Sequence, residues 1–405
     1  MSATAHRAVA DPSEGIAMKL FVGTALLVVA TACACTGVAQ EASAANQTNA
    51  LVDAARSGNG AVLRMLVADR VPLDAQRARD GQTAVLAAIQ ADQTEAMRFL
   101  LEQGARADVP NREGVLPLVA AIEQGNRAAI LVLAQKGADV ELRMGSGEPP
   151  LVYAALRNKP ASITALLLVG ANPEAMDDAG RTALLAAACT PPVDAKGGEQ
   201  KADAIQILLD WNARMDAKAA NGDTVQTCAA RNQPASAAEQ MDAAAAERAA
   251  LAKAEEKAKL TKAGVGAADL RFNLLLNAFG KNQDDDYVRG LIFAAAEALP
   301  KPRAIPAEAQ RVHEAAMTAL ASADEHDQIE RPIAELRRAV EMAPWWREAY
   351  RDLALALEKN GQYEWATEQM DLYLRSRPRG EDRNTALAQM IRIELEADVI
   401  RRSLK

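Results

Sequence analysis

A repeat of 33 residues limits what this 405-residue chain can fold into more than any other feature of its sequence. Two landmarks share that interval: the dipeptide Gly-Ala, and a series of single glycines. The dipeptides begin at Gly104, Gly137 and Gly170, and the single glycines are Gly81, Gly114, Gly147 and Gly180. Ala-Ala pairs return at nearly the same interval, beginning at Ala54, Ala87, Ala120 and Ala154. A fixed period of this length predicts a stack of similar units, each burying its apolar face against the next.

Each unit is predicted to contain two antiparallel helices. The Ala-Ala pair falls on a short first helix, where small side chains let neighbouring helices approach closely. A leucine-rich second helix, such as the one that contains Phe99-Leu100-Leu101, packs between units. The glycine of each Gly-Ala dipeptide is predicted to end a second helix, because a left-handed residue is needed there.

These units resemble the ankyrin repeat family over residues 46–230, and we assign the repeat domain to 48–232, with five to six units. The resemblance implies an all-α solenoid with short β-hairpin tips. The fifth unit is longer than the others, with an insertion at about 190–200. The family usually opens its first helix with Thr-Pro-Leu-His, whereas this chain has fragments such as Thr83-Ala84-Val85-Leu86. Apolar contacts are therefore expected to replace the hydrogen bonds of the missing histidine.

The ankyrin resemblance also implies where partners bind, namely at the hairpin tips and on the inner helix surface. Carried over to this sequence, the tip positions are Arg77, Arg79, Asn111, Arg112, Arg143, Met144, Met176 and Asp177. Arginine together with exposed methionine suits a protein interface. The competing interpretation treats the tips as solvated loops, and for any single residue that interpretation is favoured.

A second kind of repeat follows at 305–400. Residues 347–378 resemble one tetratricopeptide repeat, with Tyr350, Gly361 and Ala366 at that family's spacing. In the preceding unit Pro332 replaces a small alanine, so the second helix is expected to begin near it. Residues 381–400 are predicted to form a capping helix. Two units and a cap are few, so this region (301–405) is expected to lean on the helices before it.

Trp345 and Trp346 lie at the junction between the two tetratricopeptide-like units. One interpretation makes them an aromatic anchor for a peptide in a tetratricopeptide-like groove. The other makes them a wedge between the units, and this one is favoured because aromatic side chains usually pack in the core.

The segment 233–300 is predicted to be a helical connector. Residues 235–262 are rich in alanine and charge, which predicts an exposed helix that leaves the ankyrin stack. Two amphipathic helices are expected at 268–280 and 287–300. The acidic run 284–286 between them lacks the glycine and glutamate of a calcium-binding loop, so a solvated helix start is favoured.

The first 39 residues are expected to act as a secretion signal. An uncharged apolar run at 20–34 follows Lys19, and Met18 is a candidate for the true start. Small residues before Cys33 resemble a bacterial lipobox, and Cys35 fits nearly as well. The sequence is compatible with three fates of this segment: a lipoprotein, a soluble secreted protein or an uncleaved membrane anchor. Each places the protein outside the cytosol, with a periplasm as the favoured compartment, after a polar tether at 40–47.

Cys189 and Cys228 fall on the first helices of neighbouring units. A disulfide is possible in an oxidising compartment. Their positions along the two helices differ by three residues, so a pair of small buried core residues is favoured over a bond.

Composition argues against several other classes of protein. The net charge is −8, and no segment is strongly basic, which argues against a nucleic-acid binder. Aromatic residues make up only 3% of the chain, which argues against a large β-sandwich. The 3 histidines, at positions 6, 313 and 326, do not predict a metal site, and no catalytic or cofactor motif is present.

These observations favour a non-enzymatic scaffold of the bacterial cell envelope that binds protein partners and needs no cofactor. Two alternatives stay open: an accessory or regulatory subunit of an envelope enzyme, and a secreted effector that binds host proteins. An enzyme with its site hidden at the domain junction is the least favoured interpretation.

Overall fold

The computed structural model describes residues 43–145, 147–190, 198–232, 267–280, 286–323, 328–376 and 378–403, with further helical positions between 241 and 256. The predicted signal, Cys33 and Cys35 lie outside the described residues. Most of the predicted insertion at 190–200 also lies outside them, as do His326 and the first two residues of the acidic run.

Paired helices fill the first half of the described chain. The first helices of successive units form one row, which we call the first-helix row: α1 (43–56), α3 (Ala84–Gln90), α5 (Pro117–Gln124), α7 (Pro150–Leu156), α9 (Ala183–Cys189) and α11 (Val225–Asn232). The second helices form the second-helix row: α2 (Gly60–Ala68), α4 (Thr94–Glu102), α6 (Arg127–Gln135), α8 (Pro160–Leu168) and α10 (Gly198–Asp210). Helix α1 begins within the predicted tether, where residues 43–47 are exposed.

Short local signals set the ends of these helices. Thr83 and Thr182 cap α3 and α9, because each hydroxyl accepts a hydrogen bond from the backbone N–H three residues later. α5 and α7 instead begin with proline, whose missing N–H has no helical partner at that position. Gly137 has a φ of +91°, so the prediction that glycine ends these second helices in a left-handed conformation is confirmed.

The core of the stack lies between the two rows. The alanine pairs of α3 and α9 have no exposed surface, and the leucines of α4, α6 and α8 are buried between units. The predicted role of the small first-helix residues is therefore confirmed. In α9 every residue from Ala183 to Ala188 is fully buried.

Each tip between units is a hairpin turn closed by backbone hydrogen bonds. The N–H of Arg77 donates to the carbonyl of Gln82 at 2.8 Å, and the N–H of Asp177 donates to that of Arg181 at 3.0 Å. At the last tip, Lys218 and Thr224 form an isolated antiparallel bridge.

The stretch after the sixth first helix differs from its prediction. The described residues between 241 and 256 are helical (α12), but Met241 is 1% exposed and belongs to the core of the stack. The guanidinium of Arg248 donates to the carbonyl of Ala213 at 2.8 Å, at the end of the ankyrin units. Met241 and Arg248 therefore lie against the end of the stack, which was not predicted, whereas most of the other described residues in this stretch are exposed, as expected.

The second half of the chain is a set of antiparallel helices. They are α13 (Ala267–Phe279), α14 (Asp286–Glu297), α15 (Ala307–Ala321), α16 (Glu330–Met342), α17 (Arg347–Lys359), α18 (Tyr363–Arg375) and α19 (Gly380–Ser403). The expected starts of α16 near Pro332 and of α19 near 381 agree with these bounds. Within the described residues, no helix is both long and apolar enough to cross a lipid bilayer.

The C-terminal helices lean on α13 and α14, as predicted. The rings of Phe272 on α13 and Trp345 meet edge to face at 5.4 Å, and those of Phe293 on α14 and Tyr350 on α17 do the same at 5.4 Å. The chain then turns back in a way that the sequence did not predict. α19 packs on α6, α18 on α8 and α14 on α10, so the C-terminal helices cover part of the second-helix row.

Candidate protein-interaction surface

Two of the predicted tip residues are structural rather than exposed. Arg77 is 3% exposed, and its guanidinium pairs with Asp80 at 2.6 Å and with Asp53 at 3.1 Å. The hydrogen bond from Arg77 holds the pKa of Asp80 well below its usual value. Asp177 is 6% exposed and pairs with Arg181 at 2.7 Å. Their predicted role as partner-binding residues is therefore wrong: Asp177 holds its own turn together, and Arg77 ties its turn to α1.

Three further predicted residues hold the tips together. The carboxamide of Asn111 accepts hydrogen bonds from the backbone of its own turn, at 3.0 and 2.9 Å. Arg112 reaches the preceding tip and donates to the carbonyl of Ala78 at 2.8 Å. Arg143 reaches the following tip, where it donates to the carbonyl of Met176 at 2.8 Å and pairs with Asp178 at 2.9 Å. Their polar groups are already used between or within units.

The remaining predicted tip residues differ in exposure. The side chain of Arg79 is 69% exposed, and Met176 is 50% exposed. Met144 is half-buried. Arg79 and Met176 are therefore the predicted tip residues best placed to touch another protein.

A polar and aromatic cluster on the first-helix row was not singled out from the sequence. We call it the Tyr153 patch: Glu123 at the end of α5, Tyr153 on α7, and Arg157 and Lys159 in the turn that follows. The Arg157 guanidinium stacks on the Tyr153 ring, 3.5 Å from its centroid, and pairs with Glu123 at 2.8 Å. Tyr153 donates its hydroxyl hydrogen bond to the same carboxylate. The Lys159 ammonium donates to the Glu123 carbonyl at 2.6 Å.

Burial of Tyr153, together with its hydrogen bond to Glu123, raises its pKa to about 12. The phenol therefore stays neutral and keeps donating at any physiological pH. One sequence signal pointed to this position. Tyr153 stands where Ala54, Ala87, Ala120 and Ala186 stand in the other units, so it breaks a run of alanines on the first helices.

Trp345 and Trp346 both pack against other rings, but Trp345 does so on α13 and not between the tetratricopeptide-like units. Trp345 packs on Phe272, and the Trp346 ring lies 4.5 Å from that of His313. Both side chains stay partly exposed. They line a groove of about 630 Å³ whose other walls include Phe293, Arg347 and Arg379.

An ion cluster joins the C-terminal helices to the ankyrin units. Arg127 on α6 pairs with Asp371 on α18 and lies 2.9 Å from Glu394 on α19. Burial raises the pKa of Asp371, although the neighbouring Arg127 guanidinium opposes that rise. Arg383 on α19 also donates to the carbonyl of Leu168, at the end of α8, at 2.8 Å. These contacts fix the C-terminal helices on the second-helix row and leave the Tyr153 patch uncovered on the first-helix row.

The structure joins Cys189 and Cys228 in a disulfide, with Cα atoms 4.5 Å apart. The expectation of two unbonded core cysteines is therefore wrong. The two helices lie side by side with their ends offset, which brings the last residue of α9 opposite the middle of α11. Nearby, Asp223 lies within 4.8 Å of both sulfurs. Because the sulfurs are bonded to each other, they are not available as thiolate ligands for a metal.

Comparison with known proteins finds ankyrin repeats in part of this chain. A family model for ankyrin repeats, made of three copies, matches residues 51–144. Comparison with curated proteins gives no match. Among solved structures, an ankyrin repeat domain from Acinetobacter baumannii AYE is similar, with 22% identity, a TM-score of 0.43 and coverage of 48% of this chain and 97% of that one. The ankyrin repeat protein EF0377 is also similar, with 21% identity, a TM-score of 0.40 and coverage of 45% and 92%.

The fold is thus an all-α ankyrin solenoid followed by a helical region. Ankyrin repeats are typically non-enzymatic and bind other proteins through their stacked surfaces. This class of fold suggests a protein–protein interaction module.

Proposed function

We propose that the protein is a non-enzymatic scaffold of the bacterial cell envelope that binds a protein partner on its first-helix row. The observation that carries this proposal is the unequal coverage of the two rows. The C-terminal helices occupy α6, α8 and α10 on one side, while the Tyr153 patch stays accessible on the other.

The chemistry of the Tyr153 patch suits a protein interface. Tyrosine and arginine are enriched among the residues that contribute most to binding. The Arg157 side chain is 41% exposed and is already stacked and paired, so little side-chain freedom is left to lose on binding. Arg79 and Met176 offer further exposed side chains at the tips.

The C-terminal helices supply a second surface in this proposal. The succession of short helices α15 to α19 supports a tetratricopeptide-like arrangement, and the groove beside Trp345 and Trp346 has aromatic and arginine walls. A second partner segment binds there, so one chain brings two proteins together.

Photo-crosslinking in intact cells tests the first surface. A benzoylphenylalanine at position 153 is expected to give a defined adduct that mass spectrometry identifies. The same residue at position 65, where Met65 is 66% exposed on the second-helix row, serves as the control. Tyr153→Ala is then expected to weaken binding of that partner about tenfold or more. Equal adducts at both positions, or unchanged affinity, would reject the proposal.

The envelope location is a separate part of the proposal. The apolar run and the small residues before Cys33 support secretion, and the disulfide supports an oxidising compartment. Lipid attachment at Cys33 predicts that a fatty-acid analogue labels the protein and that Cys33→Ser abolishes the label. Cys35→Ser is the matched control, and label lost only in that variant would move the site to Cys35. Unlabelled protein in the culture medium would instead support the secreted-effector alternative.

A further inference from the structure

Three possible metal ligands meet where the fifth and sixth ankyrin units join. The sulfurs of Cys189 and Cys228 and a carboxylate oxygen of Asp223 lie within 4.8 Å of one another. Within the described part of the chain, this is the group of cysteine, histidine, aspartate and glutamate side chains close enough together to share one metal ion. Thiolate sulfur and carboxylate oxygen are both ligands that Zn²⁺ accepts in proteins.

The helices that carry these side chains are held together by more than the disulfide. α11 packs on α9 as closely as α7 does on its other side. Val225, Cys228 and Ala229 are buried in the core, and the carboxamide of Asn232 donates to the carbonyl of Cys189 at 2.9 Å. None of these contacts uses the bond between the sulfurs. Reduction is therefore expected to leave α11 in place, with the two thiols side by side.

The spacing of the two cysteines suits a shared metal ion. Their Cα atoms are 4.5 Å apart. A zinc ion binds each sulfur at about 2.3 Å, so the two sulfurs need only rotate apart about their side-chain bonds once they are no longer joined. Cys228 is 1% exposed, but Cys189 and Asp223 are partly exposed, so an ion from solvent reaches the site and one coordination position stays open to water.

The charges around the three ligands also favour a cation. The Arg231 guanidinium pairs with Asp223 and lies 3.9 Å from the Cys228 sulfur, so a positive charge already sits beside two of the ligands. Two thiolates and one carboxylate carry three negative charges, and a single guanidinium balances one of them. A divalent cation supplies the two positive charges that are then missing.

A neighbouring amide holds the Asp223 carboxylate in position. The carboxamide of Asn221 donates to that carboxylate at 2.8 Å, and the backbone N–H of Asp223 donates back to the carboxamide oxygen at 3.0 Å. Hydrogen bonds of this kind around a metal site fix the orientation of the ligand.

We propose that the reduced chain binds one zinc-like divalent cation through Cys189, Cys228 and Asp223, so that this junction holds either a disulfide or a metal ion. Water completes the tetrahedron. Zn²⁺, Cd²⁺ and Co²⁺ fit this donor set, whereas Mg²⁺ and Ca²⁺ require oxygen ligands. The site does not depend on the proposed binding of a protein partner.

Loading of the site takes two balanced steps. A dithiol reductant passes two electrons and two protons to the disulfide. The reductant becomes a disulfide, and Cys189 and Cys228 become thiols. The cation then binds both sulfurs, and their two protons go to water.

Cobalt binding tests the site in the full chain carrying Cys33→Ser and Cys35→Ser, which leaves Cys189 and Cys228 as its cysteines. The chain is reduced with dithiothreitol, freed of reductant without oxygen, and titrated with Co²⁺. One equivalent is expected to give the absorption of cobalt–thiolate bonds, which Zn²⁺ removes and Mg²⁺ does not. The oxidised chain is the control and should give no such absorption. Its absence from the reduced chain, or an endpoint at half an equivalent with two chains sharing one ion, would overturn the proposal.

The contribution of Asp223 is measured by competition of Zn²⁺ with bound Co²⁺. Asp223→Asn is expected to weaken Zn²⁺ binding about tenfold or more. Asp216→Asn is the matched control, because Asp216 also pairs with an arginine but lies on an exposed tip, where its side chain is 67% exposed. Equal affinities for the two variants would remove Asp223 from the ligand set.

Hydrogen exchange shows whether the ligands stay together without the disulfide. The backbone amides of 225–232 are expected to keep their protection in the reduced chain before any metal is added. Loss of that protection would mean that α11 leaves α9 on reduction, and the preformed site would be disproved. This measurement needs no partner, so its result is independent of the proposed binding function.

Discussion

Arg77 shows how one side chain can tie a hairpin tip to the helix before it. Its guanidinium contacts Asp80 and Gln82 in its own turn and Asp53 on α1, and it is almost fully covered. A buried cation of this kind is stable only while its partners remain, because water cannot replace them.

Arg77→Met is expected to lower the free energy of unfolding by about 1–3 kcal/mol, since several hydrogen bonds of a charged group are lost. Arg79→Met is the matched control at the same tip. Its side chain is 69% exposed, so a change within about 0.5 kcal/mol is expected. Urea unfolding measures both variants, and equal losses would contradict the structural role of Arg77.

Asp352 makes the stability of the C-terminal helices depend on pH. Burial would raise its pKa, but hydrogen bonds from His313 at 2.9 Å and Arg351 at 2.9 Å outweigh burial and hold the pKa below its usual value. Because the folded pKa is depressed, the stability that the carboxylate contributes is present above the unfolded pKa and is lost as the pH falls through the folded pKa.

Wild type is therefore expected to be more stable than Asp352→Asn at pH 5 to 7. That margin should shrink as the pH falls below about 4. Urea unfolding at a series of pH values checks this. A margin that widened in acid would reverse the inferred direction of the pKa.

Residue roles at the tips were only partly predictable. The positions of Arg77, Arg112 and Arg143 in the turns followed from the repeat, but their partners did not. An arginine at a tip can face solvent or turn back to a neighbouring carbonyl, and the choice depends on which acceptors the next unit presents. The Tyr153 patch was predictable in principle, from an aromatic residue in a run of alanines.

At the scale of helices, the residue that follows each second helix must adopt a left-handed backbone conformation, and glycine does so most easily. Gly137 has a φ of +91°, and a Cβ at that position would meet nothing within 4 Å. Any cost of a side chain there is therefore backbone strain rather than a clash.

Gly137→Ala is expected to cost about 1–2 kcal/mol of stability through that strain. Gly145→Ala is the matched control, because a Cβ at Gly145 would also meet nothing within 4 Å and the backbone there is not left-handed. Its effect is expected to lie within about 0.5 kcal/mol of zero. Thermal unfolding compares the two, and a larger loss for Gly145→Ala would contradict the argument.

Helix ends in the ankyrin units were largely predictable, because they depend on local signals. Alanine pairs, prolines and left-handed glycines act within a few residues of where they stand. The contact of the stretch 241–256 with the end of the stack was missed for the opposite reason. Its sequence has high helix propensity and no continuous apolar stripe, and the contact of Met241 with the stack depends on distant residues.

At the scale of the whole molecule, the docking of the C-terminal helices could not be predicted. Arg127 and Asp371 are separated by 244 positions, and no local pattern links them. Both are covered in the structure, with side chains 16% and 10% exposed. Removing one partner leaves buried charges without compensation, which is costly.

Arg127→Ala is expected to destabilise the docked arrangement by about 3–5 kcal/mol, because Asp371 and Glu394 lose their counter-charge. Arg98→Ala is the matched control, since Arg98 on α4 also pairs with two acids but is 38% exposed, and its loss should cost less than about 1 kcal/mol. Hydrogen exchange in α18 and α19 reports the docking. Similar effects for the two variants would show that the cluster does not hold the interface.

The packing of α18 and α19 on α8 and α6 also affects how easily the ankyrin stack bends. A solenoid held together only by contacts between neighbouring units bends easily, because a small rotation at each interface changes the curvature of the whole stack. α18 packs on α8, α19 packs on α6, and the two helices pack on each other. Together they limit bending between these units and so hold the curvature of the first-helix row. A partner that fits that curve meets a surface already in its bound shape, and less conformational entropy is lost on binding.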